Sequence, residues 1–301
     1  YYVLNWMGFE VTFINCLLFG ALISPTDPIA VLGILKKAGA PKKLETKIVG
    51  ESLFNDGVGV VVFLTIFAIA AKPNAPLELS EIITLFGQEV IGGLALGLAL
   101  GWGTYRLMRT IDSFEIEVIL TLAAVMGGTA IAHKFHLSAP LAMVAAGLVV
   151  GNDKTREAAM SKEVEVYVDK FWEMIDVLLN AFLFVMIGME MLVLTLEKNY
   201  ILAGLLAIPL ILICRYLSLW LPVKAFAKKL DFVPKTNLIM TWGGLRGGIS
   251  IALALSLSKE MHRELFLVIT YVVVVASIIG QGLTVEPIIK KLTAPSSKET
   301  A

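Results

Sequence analysis

Asp27, Asp56, Arg215 and Arg246 stand in stretches of this 301-residue chain that are otherwise apolar or small. Asp27 lies in ISPTDPIAV between Pro25 and Pro28, and Asp56 ends the run GESLFND. Arg215 interrupts LILICRYLS, and Arg246 sits among four glycines in TWGGLRGGISIA. Near the centre of a membrane helix a guanidinium costs about 2.5–3.5 kcal/mol even on the lenient insertion scale, and it persists where it faces a bundle interior and finds a partner. Around Asp56, helical geometry sorts the polar groups into two sets. Ser52 and Asp56 are four apart on one face, while Glu51 and Asn55 share a neighbouring face roughly 100° away. Asp56 is the better ligand for a hard monovalent cation, because Ser52 on its stripe adds a neutral oxygen and hard cations prefer oxygen. Glu51 is the better permanent partner for an arginine, with Arg215 as the candidate. One face is then free to bind an ion while the other is tied to the scaffold.

These groups need elements that bring them together. Pro25 and Pro28 lack the N–H groups that a continuous helix requires, and their rings crowd the preceding turn, so the helix around Thr26 and Asp27 must break. Free carbonyls at membrane depth are tolerated where they line a polar cavity or coordinate an ion. The glycines around Arg246 mark a second segment that can unwind or admit another backbone closely. A pair of interrupted helices in two halves of a transporter is a sequence pointer to its substrate site. The two breaks are therefore expected to cross, with Asp27 and Arg246 neutralising the freed helix ends.

Composition sets the solvent. Hydrophobic residues make up 57% and charged residues 17%, with a mean hydropathy of +0.81, far from the balance of a water-soluble domain. Apolar runs long enough for a bilayer, which takes about 20 helical residues, fall at 8–36 with a break, 48–71, 84–105, 116–132, 137–151, 171–196, 200–222, 237–257 and 265–289. Alternate loops carry eighteen and five of the lysines and arginines, and keeping the short run at 137–151 as a crossing helix preserves that asymmetry. The lysine-rich side is expected to be cytoplasmic and to include the C-terminus, with 292–301 as a short tail. The first residue, Tyr1, opens almost directly into apolar sequence, so the first helices of the protein are expected to be missing.

Other features point to packing or solvation. The net charge of zero offers no field for nucleic acid. No nucleotide-binding glycine loop or nucleophile constellation appears, which argues against an ATP-driven pump or an enzyme. Cys16 and Cys214 lie in apolar stretches and are expected in the core, not in a disulfide or zinc site. Gly93, Gly97 and Gly101 form a stripe for close helix packing, His133 and His136 are expected in a solvated turn, and Asp176 and Glu190 near the ends of their span.

Thr26-Asp27-Pro28, the segment Glu51-Ser52-Leu53-Phe54-Asn55-Asp56, Arg215 and the Gly-Gly-Leu-Arg-Gly-Gly run together resemble the monovalent cation:proton antiporters, in the bacterial-type sodium/proton exchanger branch. The similarity extends over essentially the whole chain, including LSAPLAMVAAGLVVGN. It implies an all-α polytopic membrane bundle with an inverted repeat and two unwound crossing helices, so that 1–301 is one partial transmembrane antiporter domain of about nine spans. It also implies a multi-pass place in the cell membrane and a homodimer in the full-length protein. The transported ions are sodium and protons, with lithium or potassium as alternatives and no cofactor. Asp56, Ser52 and Thr26 would ligate sodium with Asp27 beside them, and Glu51, Asn55, Arg215 and Arg246 would form the structural charge network. A carboxylate that holds either one proton or one sodium ion is neutral in both loaded states, so only a loaded site crosses the low-dielectric barrier. With Asn55 where a second aspartate could stand, exchange is expected to be electroneutral, one cation for one proton. A potassium/proton antiporter is the nearest alternative, and a cation channel is more distant.

Overall fold

The computed structural model describes the chain apart from residues 28–30, 34, 36–40, 72–78, 193, 195, 196, 231, 234 and 294–301. Pro28, the loop lysines Lys36, Lys37 and Lys72, and nearly all of the expected tail lie outside the described residues. The described residues are almost entirely helical, and their one pairing of β type is an isolated antiparallel bridge between Asp27 and Leu245.

The helices that matter here are α1 (Phe13–Leu22), α2 (Lys42–Ala70), α3 (Ile82–Met108), α4 (Phe114–Lys134), α5 (Ala139–Val150), α6 (Lys162–Met191), α7 (Lys198–Ala225), α8 (Thr236–Gly243), α9 (Gly248–Leu255) and α10 (Arg263–Leu292). Among the described residues, α2, α3, α4, α6, α7 and α10 are long and apolar enough to cross a membrane. α1 begins where Thr12 accepts the N–H of Asn15 (3.3 Å) and ends at Leu22, with Ile23 as its C-cap two residues before Pro25. α5 begins where Ser138 Oγ accepts the N–H of Leu141 (3.3 Å). Its 12 residues reach about 18 Å of a roughly 30 Å hydrocarbon core. The apolar run at 237–257 is divided: α8 stops at Gly243, α9 starts at Gly248, and the residues between are unwound.

The chain forms two compact units. The first comprises residues 1–55 and 191–301. Its core gathers Leu44 and Ile48 of α2, Ile239 of α8, Leu245 of the unwound stretch, and Val285 and Ile289 of α10. Phe19 of α1 stacks on Phe266 of α10 with ring centroids 5.4 Å apart.

The second unit comprises residues 56–190. Here the glycine stripe of α3 lies against α5. A Cβ at Gly97 would meet the carbonyl oxygen of Ala142 at 2.1 Å, so only a glycine allows this approach. Trp172 of α6 donates its indole N–H to Thr121 of α4 (3.1 Å). Glu117, in the first turn of α4, is fully buried. His133 closes α4, and His136 follows with a left-handed φ of 53°. Among the described residues no group of three His, Cys, Asp or Glu side chains could hold a metal ion.

Candidate functional site

The site is built where the two helix breaks of the first unit meet. After Ile23 the chain runs without regular secondary structure through Ser24, Pro25 and Thr26, and the N–H of Asp27 donates to the carbonyl of Leu245 (2.8 Å). Both breaks leave helix-end carbonyls without intrahelical donors, and side chains from distant helices take them up.

Arg246 serves the first break. Its Nη1 donates to the carbonyls of Ser24 and of Pro25 (3.0 Å for the latter). A cation therefore sits at the C-terminal end of α1, where the helix dipole favours positive charge. Asn55 Nδ2 reaches the same Ser24 carbonyl at 2.8 Å and Thr26 Oγ1 at 3.5 Å. Thr26 Oγ1 is in turn hydrogen-bonded to Ser52 Oγ at 3.0 Å, with both residues almost fully buried.

Arg215 serves the second break. Its Nε and Nη2 donate to the carbonyl of Met240 in α8 (3.2 and 3.0 Å), and Nη2 also pairs with Glu51 Oε2 at 2.9 Å. The guanidinium occupies the space that a side chain at position 244 would need: a Cβ on Gly244 would lie 2.1 Å from Arg215 Nε. Across the break, Asp27 lies against the start of α9, where a Cβ on Gly247 would come 3.1 Å from Asp27 Oδ2. Its carboxylate thus faces the positive end of that helix dipole. A cavity of about 530 Å³ adjoins the crossing, with Ser24, Glu51, Asn55, Arg215, Ser218 and Arg246 among its lining.

The residues singled out in the sequence are thus distributed as follows. Thr26, Asp27, Glu51, Ser52, Asn55, Arg215 and Arg246 converge on the crossing. Arg215 and Arg246 are buried (7% and 6% exposed), while Asp27, Glu51, Asn55 and Asp56 are half-buried. Asp56 follows Asn55 in α2 and stands one turn beyond Ser52 on the same stripe. The Asn55 amide joins Arg246 on the Ser24 carbonyl, while Glu51 on the same face of α2 pairs with Arg215. Cys214 differs from expectation, since it is exposed and lines the cavity, not a packed core. Asp176 is exposed on α6.

Three polar residues of consequence were not apparent from the sequence. Ser277 and Gln281 hydrogen-bond to the second break, and Glu117 is a buried carboxylate in the second unit. A glutamine four residues after a serine inside an apolar span was a usable signal for the first two.

Comparison with known proteins agrees with this geometry. The family described as "Sodium/hydrogen exchanger, transmembrane" matches residues 1–291. The Na(+)/H(+) antiporter NhaP of Pseudomonas aeruginosa is 51% identical over 298 residues, covering 98% of this chain and 70% of that protein. The Na(+)/H(+) antiporter NhaH of Halobacillus dabanensis is 38% identical over 278 residues, 91% of this chain and 68% of that protein. In three dimensions, the sodium proton antiporter MjNhaP1 of Methanocaldococcus jannaschii, solved at pH 8, is similar with a TM-score of 0.78 at 20% identity, over 97% of this chain and 74% of that one. With two unwound segments crossing inside an apolar helical bundle, and with matches of this extent, the chain belongs to the sodium/hydrogen exchanger family.

Proposed function

We propose that this protein exchanges sodium for protons across the cell membrane, one for one, at a site where Asp56 binds either ion. The observation that carries the reading is a pair of buried hydroxyl oxygens, one of them on the same stripe of α2 as Asp56. Thr26 Oγ1 and Ser52 Oγ lie 3.0 Å apart, and Ser52 is one helical turn from Asp56. Two neutral oxygens and one carboxylate form the start of a hard-cation shell, which water can complete.

Charge arithmetic gives the coupling. Asp56 carrying sodium or a proton is neutral, and Asp56 alone is an anion that resists transfer across a low-dielectric barrier. Alternating access therefore returns only with a proton or a cation aboard. Asn55 supplies an amide, not a second carboxylate, and this favours electroneutral exchange. The lysine and arginine asymmetry of the loops supports a cytoplasmic C-terminus, and the family resemblance supports a homodimer.

The test uses full-length protein in sealed vesicles holding a pH-sensitive dye. After a proton gradient is imposed, sodium, lithium or potassium is added to wild type and to Asp56→Asn. Cation-dependent dissipation that is absent in the variant and indifferent to a clamped membrane potential supports the proposal. Dissipation that follows the clamped potential points to unequal charge transfer. No cation-dependent proton movement by correctly oriented wild type removes antiport altogether.

A further inference from the structure

α10 is interrupted by a π-helical turn, Ser277–Gln281. Such turns frequently stand at functional sites, and here the residues that open and close the turn reach the second break. The backbone N–H of Arg246 donates to Ser277 Oγ at 2.9 Å. Ser277 Oγ–H donates to Gln281 Oε1, and Gln281 Nε2 donates to the carbonyl of Trp242 at 2.9 Å. Trp242 belongs to the last turn of α8, and Arg246 lies just before α9. The two side chains therefore form a strap across the unwound residues, pinning them on both sides.

Packing does not hold this region alone. A cavity of about 210 Å³ lies alongside, lined in part by Trp242, Gly244, Arg246, Ser277, Gly280 and Gln281. With open space there, hydrogen bonds must fix where the backbone of Arg246 sits. Ser277 and Gln281 are 3% and 8% exposed, so water is a poor substitute for a lost partner. The position of Arg246 matters beyond its own segment. Its guanidinium holds the carbonyls of Ser24 and Pro25, and Thr26, with its hydroxyl on Ser52, comes next in the chain.

We propose that Ser277 and Gln281 are positioning residues for cation exchange: through Arg246 they set the spacing of the oxygens at Thr26 and Ser52, and thereby the choice among cations. This inference rests on the reading that the transported ion binds at those oxygens.

The experiment compares wild type, Ser277→Ala, Ser277→Thr and Gln281→Leu as full-length proteins in vesicles, with sodium and lithium titrated separately. Losing one link of a buried chain should raise the sodium concentration for half-maximal exchange by about tenfold in Ser277→Ala and Gln281→Leu, and change the lithium-to-sodium affinity ratio by about threefold. Maximal rates should stay within about twofold of wild type, as expected when binding geometry and not turnover is disturbed. Ser277→Thr keeps the hydroxyl and should restore wild-type values. Variants with reduced yield or maximal rate but an unchanged ratio would show a purely structural strap and overturn the proposal. Where a variant turns over too slowly, the sodium- and lithium-dependent rise in melting temperature of the purified protein reads the same ratio, and an unchanged ratio there is equally fatal. Wild type without sodium-dependent proton movement would instead defeat the exchange reading beneath it, and the wild-type control alone reveals that.

Discussion

Asp27 and Leu245 share the one backbone hydrogen bond of β type among the described residues, N–H to carbonyl at 2.8 Å, and through it two helix breaks far apart in sequence become one polar crossing. Each break supplies what the other lacks. The anion of the first faces the start of α9, and the cation of the second takes the carbonyls that follow α1.

Replacing Gly244 should be damaging out of proportion to the size of the change. In Gly244→Ala the new methyl would stand 2.1 Å from Arg215 Nε, and the guanidinium cannot swing aside without leaving Glu51 and Met240. Overpacking of this kind costs about 1–3 kcal/mol. Thermal unfolding in detergent should show a lowered midpoint, and a melting curve equal to wild type would refute the crowding argument.

Arg215 and Glu51 should behave as a coupled pair. Breaking a fully buried pair costs about 3–5 kcal/mol, and the partial exposure of Glu51, 22% of its side chain, brings the expectation for Arg215→Gln to about 2–3 kcal/mol. Adding Glu51→Gln removes the stranded carboxylate and should recover part of that loss. A double-mutant cycle with strictly additive effects would show that the 2.9 Å contact carries no coupling.

Asn55→Ala removes the amide that holds the Ser24 carbonyl and reaches toward Thr26. A net hydrogen bond is worth about 0.5–1.5 kcal/mol, so apparent sodium affinity should fall about three- to tenfold. Titration of sodium-driven proton movement checks this, and unchanged affinity would place Asn55 outside the ion site.

Protons and sodium should compete at Asp56 in a defined direction. Protonation removes the charge that attracts sodium, so lowering the pH raises the sodium concentration needed for half-maximal exchange. The limit is about tenfold per pH unit once the carboxyl is mostly protonated, and affinity levels off on the alkaline side, where it is already ionised. Measuring that concentration across a pH series decides the matter. A value independent of pH would mean that the two ions do not share one carboxylate.

What the sequence determined by itself is the part fixed by local chemistry. Pro25 lacks the N–H that would continue α1, and the glycines around Arg246 accompany the gap between α8 and α9. The composition of the apolar runs sets a helical bundle, and the four-residue spacing of Ser52 and Asp56 puts them on one stripe of α2. The identity of Glu51 as a partner for Arg215 was also legible, because a buried guanidinium must find a carboxylate and few were available. The tertiary structure alone decided which distant groups meet. Arg246 reaches the carbonyls of Ser24 and Pro25, and Asn55 reaches the same Ser24 carbonyl. Ser277 and Gln281 reach the second break because a π-helical turn brings their side chains there. Glu117 was no different in sequence from a first-turn surface carboxylate, and only the packing of the second unit buries it. Backbone breaks and helix periodicity are written within a few consecutive residues, whereas hydrogen-bond partners are chosen when the helices pack, and no spacing along the chain records that choice.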